Sequence, residues 1–204
     1  MIKLPDSIRL FPFHHPLQPT MTTSNTPTSS VSRYHPALVA LHWLMALMIM
    51  ALLLGGSLVT APTPNTDPEK IGHLKGHMIV AMSVGVLMVL RLLVRLRTRH
   101  PAPAKSGMAW ADRVAPWTHW AFYLLVFTML ASGMTMAAMT GLPDIVFNGK
   151  GSLPPDFWHL PARAVHGIVA KALLALIALH IGAALYHQVI RKDGLLSRMW
   201  FGQR

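Results

Sequence analysis

Twelve histidines stand in this 204-residue chain, and six of them, His42, His77, His119, His166, His180 and His187, fall in or at the ends of long apolar runs. An imidazole in such a run is costly unless it is hydrogen-bonded, paired or bound to a cofactor, and its neutral nitrogen is a good ligand for iron. The chain has no cysteine, which excludes disulfides, zinc–thiolate sites, iron–sulfur clusters and thioether-linked haem. Any haem must be held non-covalently.

The spacing of His166 and His180 is the most informative. Fourteen residues at ~3.6 per turn bring the second to within about 40° of the first and raise it by roughly 21 Å. One helix thus offers an axial ligand at each of two depths. His77 matches the outer depth and His42 the inner, so a helical bundle here is expected to hold two haems b, His42 with His180 and His77 with His166. For any single histidine the competing reading is an interhelical hydrogen-bond donor or a headgroup-level residue. Four at two matched depths argue against it.

His119 and His187 read as supporting or inner-surface groups. His14, His15, His35, His73, His100 and His159 read as loop or helix-end residues, although His73, one turn outward of His77, offers itself to a haem propionate. Arg91 and Arg95, four apart on one helical face, are expected near the inner-haem propionates, with snorkelling towards the headgroups as the alternative. The methionines read as flexible packing rather than axial ligands. Lys171 points about 140° away from His166 and either snorkels outward or lines a site.

The elements that must position these groups follow from composition. An apolar fraction of 52% with 12% charged residues does not suit a soluble domain. No Asp, Glu, Lys or Arg occurs from Ala37 to Thr60 or from Val114 to Pro143, and each run exceeds the roughly 20 residues a bilayer requires. Four helical spans are expected near 36–60, 72–96, 116–139 and 163–189, because backbone groups in lipid must be satisfied within the segment. The expected fold class is therefore all-α, an integral membrane four-helix bundle over residues 34–204, with turn-rich connections at 61–71 and 140–162. Residues 1–33, rich in Pro, Ser and Thr, read as a disordered extension without a signal-peptide pattern, and Met21 is an alternative start.

The net charge of +11 follows the positive-inside pattern and calls for no nucleic-acid partner. Arg91, Arg95, Arg97, Arg99, Lys105 and Arg113 surround the second connection. Arg191, Lys192, Arg198 and Arg204 mark the C-terminal end, and Lys3, Arg9 and Arg33 the N-terminal one. Both termini are expected on the cytoplasmic side of a bacterial inner membrane.

From about Arg33 to Trp200 the chain resembles the bacterial cytochrome b561 family, which is related to the membrane cytochrome subunits of nickel hydrogenases and formate dehydrogenases. The resemblance rests on Arg33-Tyr34 before Leu41-His42-Trp43, on His77 with Arg91-Leu92-Leu93-Val94-Arg95-Leu96, and on His119 before Tyr123-Leu124-Leu125. Its most specific part is His166, then His180 with Ala183-Ala184-Leu185-Tyr186-His187, Lys192-Asp193-Gly194 and Arg198-Met199. It implies a four-span, two-haem protein with ligands at His42, His77, His166 and His180 that exchanges electrons with the quinone pool. In such proteins an acidic residue often follows the first ligand of span 4. Here Gly167 follows His166, so the resemblance carries no proton-handling role to that position.

Three functions remain to be separated. The first is a self-contained electron carrier between a donor and quinone, in contact with membrane lipid and with a redox partner protein or a second copy of itself. The second is the haem-bearing anchor of a multisubunit dehydrogenase or hydrogenase, which calls for a partner with its own redox centre. The third, a histidine-lined metal or proton transporter, calls for carboxylates beside the histidines near mid-membrane. All seven acidic residues lie outside the expected spans.

Overall fold

The computed structural model describes residues 31–103 and 105–202. Most of the expected N-terminal extension, with His14, His15 and Met21, therefore lies outside the described residues. Helix α1 (Pro36–Gly55) opens on His35, whose Nδ1 accepts the Ala37 amide at 3.2 Å. Pro36 takes the first helical position, where its missing N–H costs nothing. The helix continues into a wider π-type turn, Gly56–Thr60. Next come α2 (Glu69–Arg97), α3 (Ala109–Thr140), the short α4 (Leu142–Asn148) and α5 (Pro161–Leu185), which also ends in a π-type turn, Tyr186–Arg191. A 3-10 turn, Leu195–Met199, follows, and no strand occurs among the described residues.

Among the described residues, four helical segments of 25, 29, 32 and 31 residues are long and apolar enough to cross a bilayer. Their outward side chains are apolar: Leu47, Leu58, Val86, Leu124, Ile168 and Leu179 are each at least two-thirds exposed, as a lipid-facing surface requires. The core is narrow, formed by Met45, Leu53, Val84, Met88, Tyr123, Val126 and Leu173. Helix α1 packs chiefly on α2 and α3 chiefly on α5, so two hairpin-like pairs face each other. Backbone approach of α1 and α2 to α5 is sparse at most, and histidine rings meet across that interface.

Two elements differ from expectation. Helix α3 begins at Ala109 rather than near 116, because Pro116 is accommodated inside it. Its first turn is anchored by Asp112, whose carboxylate accepts from the Ser106 amide at 2.6 Å and hydroxyl at 2.7 Å. Exposed Trp110 and Trp117 on this extension suit the headgroup region, where aromatic rings collect. The connection after α3 is also not all turn. Gly141 (φ 65°) and Gly149 (φ 64°) bracket α4, and Leu142, Ile145 and Val146 bury one face of it.

The end of the bundle that carries both described chain ends is tied by hydrogen bonds to backbone carbonyls of residues 197–199. The Tyr34 amide donates to the Arg198 carbonyl at 3.1 Å, Arg33 to the Ser197 carbonyl at 3.0 Å, and Trp43 Nε1 to the Met199 carbonyl at 2.9 Å. At the opposite, loop end the buried Lys70 donates to the Thr60 and Thr63 carbonyls, both at 2.6 Å. A cation there closes the carbonyl end of the first span.

Candidate cofactor site

Helix α5 presents His166 and His180 towards the other hairpin, each facing a histidine of a different helix. His180 lies 6.2 Å from His42 of α1 and His166 lies 6.3 Å from His77 of α2, centroid to centroid, with interplanar angles of 65° and 60°. An imidazole nitrogen binds a transition metal at about 2.0–2.1 Å and its ring centre lies about 1 Å behind, so two imidazoles sharing one metal from opposite sides have centres about 6 Å apart. Both pairs have that separation. The residues present fit a bis-histidine haem at each end.

The loop-end pair has further features that sequence reasoning missed. The Ser132 hydroxyl of α3 lies 3.0 Å from His166 Nδ1 and 2.9 Å from the Met129 carbonyl. A hydroxyl has one proton, so if it donates to Met129 it must accept from Nδ1–H. That tautomer leaves Nε2 with a free lone pair. Glycines face both rings: a Cβ on Gly56 would come within 3.4 Å of His77 Cε1, and one on Gly133 within 3.4 Å of His166 Cε1. Larger residues would crowd the rings. His73 turns instead to Thr63, with Nδ1 3.5 Å from its hydroxyl.

At the other end Phe122 packs edge-on against His180 at 5.4 Å, and His119 approaches His180 to 6.4 Å. Three histidines thus meet there, while no group of three or more His, Asp or Glu side chains forms a metal cage among the described residues. Arg91 donates to the Leu38 carbonyl at 2.8 Å and lies within electrostatic reach of His42 and His180; Arg95 lies near His119.

The remaining groups are peripheral to the pairs. His187 is buried, with Nδ1 2.6 Å from Asp193 Oδ2, and that hydrogen bond holds the Asp193 carboxyl below its usual range, helped by the Leu195 amide. His100 stacks edge-on against Tyr34 at 5.9 Å, and the exposed His159 lies 3.6 Å from Asp156. Lys171 is exposed on the outside of the bundle.

Comparison with known proteins fits this geometry. The family model for prokaryotic cytochrome b561 matches residues 33–202. The chain is 30% identical over 185 residues to Cytochrome b561 homolog 2 of Escherichia coli (strain K12), covering 88% of this chain and 95% of that protein. It is 29% identical over 165 residues to Cytochrome b562 of Cereibacter sphaeroides, covering 79% and 90%. With Probable superoxide oxidase CybB of Yersinia pestis it shares 26% identity over 177 residues, covering 82% and 95%. The chain belongs to the prokaryotic cytochrome b561 family, as a multi-pass inner-membrane protein that binds haem b and serves membrane electron transfer.

Proposed function

We propose that the chain holds two haems b, one between His42 and His180 and one between His77 and His166, and passes electrons through them between a donor and the quinone pool. The observation that carries this reading is the paired separation of 6.2 and 6.3 Å at two levels of one helix. A b-type haem supplies a reversible one-electron iron couple. The chain does the rest. The four imidazoles would hold the two groups, Ser132 would set the tautomer of His166, and the apolar core side chains would keep water from them. Basic residues beside Arg97 and Arg191 favour a cytoplasmic location for both termini, which makes the His42–His180 pair the inner one. Pyridine haemochrome quantification of detergent-purified protein tests the stoichiometry. Two haems per chain, extractable by acid acetone, are expected; a yield of one or none in haem-replete cells sinks the reading.

A second reading concerns the donor. The Yersinia pestis relative is named a probable superoxide oxidase, and Lys70 and Lys75 stand in the first two turns of α2 and Arg163 in the first turn of α5, at the loop end. A cationic mouth favours a small anion. In this reading these cations would draw superoxide to the loop end, where a haem held by His77 and His166 would supply the one-electron acceptor that turns it into dioxygen. Stopped-flow mixing of oxidised protein with superoxide tests it: haem reduction that superoxide dismutase abolishes is expected, and an unchanged oxidised spectrum removes superoxide as donor.

A further inference from the structure

Arg91 enters the bundle from α2 with no carboxylate to meet it. Its bond to the Leu38 carbonyl uses one N–H of the five that a guanidinium carries. Among the described residues it forms no ion pair with Asp or Glu, and Arg95 adds like charge beside it. Asp112 and Asp193 are engaged elsewhere, with Ser106 and His187. A guanidinium in an apolar span without a counter-ion calls for an anion.

Tyr123 of α3 supplies an independent sign of the same vacancy in hydrogen bonding. Its ring is packed in the core at 7% exposure, and its hydroxyl lies beside the Arg91 guanidinium. The guanidinium can only donate to that hydroxyl, and the buried phenolic O–H finds no acceptor among the described residues, although buried polar groups nearly always find a partner. Two donors from two helices therefore converge, the phenolic proton without an acceptor and the guanidinium without a carboxylate. Arg91 is also the cation that acts on both His42 and His180.

We propose that Arg91 and Tyr123 form a carboxylate cradle, and that its occupant is a propionate of the haem held between His42 and His180. The proposal rests on the two-haem reading above. The guanidinium supplies charge and the Tyr123 O–H a directed hydrogen bond, both strengthened by the low-dielectric surroundings. Together they hold the carboxylate ionised and weaken its field at the iron. Removing a donor exposes the iron to more of that negative field, which favours the ferric state.

The test uses full-length, detergent-purified protein carrying Tyr123→Phe, which removes the hydroxyl and keeps the ring. Both haems are expected to remain. The propionate bending band of the terminal-end haem should shift in the resonance Raman spectrum, and the midpoint potential of that haem should fall. Arg91→Gln should move both readouts in the same direction and further. The double variant should change less than the sum of the two, because both donors act on one carboxylate. An unmoved band and potential in Tyr123→Phe overturns the cradle, as does a shift confined to the loop-end haem or an occupant that proves to be a lipid phosphate. The two-haem reading fails separately: it falls if the purified wild-type protein carries one haem or none, whereas two haems with a silent Tyr123→Phe sink the cradle alone.

Discussion

The hydroxyl of Ser132 on α3 lies 3.0 Å from Nδ1 of His166 on α5, so a residue that cannot ligate iron reaches the ring of one that can. An acceptor on the far nitrogen raises the basicity of an imidazole ligand and fixes its orientation. Basic ligands favour the ferric state. Ser132→Ala should therefore raise the midpoint potential of the loop-end haem and weaken its retention by about 1 kcal/mol, with the other haem unchanged. Potentiometric titration of the visible bands reads both components, and a shift in the terminal-end haem instead would refute the assignment.

The histidine pairs predict which variants share a phenotype. His42→Ala and His180→Ala should each remove one spectral component, and His77→Ala and His166→Ala should each remove the other. His119 sharpens the test, since its ring is almost as near His180 as His42 is. His119→Ala is expected to keep both haems and alter only the terminal-end band. Loss of that haem in His119→Ala, with both retained in His42→Ala, would exchange the two roles.

Reporter fusions address orientation. A fusion near Lys105 should report from the cytoplasm and one near Lys150 from the periplasm. The reverse pattern would invert the depth of all four proposed ligands while leaving their pairing intact.

The His187–Asp193 contact gives a pH-dependent contribution whose sign is fixed. The Asp193 carboxyl is held below its usual range by the hydrogen bond from His187. Its contribution is therefore complete above the unfolded carboxyl value of about 3.9 and is lost as pH falls through the lower folded value. Asp193→Asn should lower the thermal midpoint of detergent-solubilised protein at pH 6. The difference from wild type should shrink below about pH 4. A gap that stays constant down to pH 3 would show that the carboxylate charge is not what His187 uses.

Much of this architecture is legible in the residues because lipid leaves the chain few options. The spans at 36–60 and 163–189 are close to the observed Pro36–Thr60 and Pro161–Arg191, since apolar length and flanking Pro residues define both. The α3 boundary was less legible, because Pro116 resembles a helix start and only the Asp112 bonds to Ser106 reveal the earlier one. Helix α4 was hidden for the opposite reason. Its Gly and Pro neighbours look like a loop, while the burial that stabilises Leu142, Ile145 and Val146 comes from distant helices.

The site divides in the same way. Helical periodicity puts His166 and His180 on one face before any fold is known. The contacts of Ser132 with His166, of Tyr123 with Arg91 and of His187 with Asp193 depend on helix rotation or on the reversal after α5, at Lys192 (φ 51°) and Gly194 (φ 70°). No one-dimensional pattern encodes those rotations.

The tie between Trp43 and Met199 also bears on how the protein is made. Residues 195–201 leave the ribosome after every other element described here, and α5 is the last span to enter the membrane. Until then His42 and His77 stand on the first hairpin without their facing rings. Neither facing pair can form before α5 is in place, so each proposed cofactor site is completed only once all four spans have entered the membrane, and the segment that reaches back beneath α1 closes over it later still.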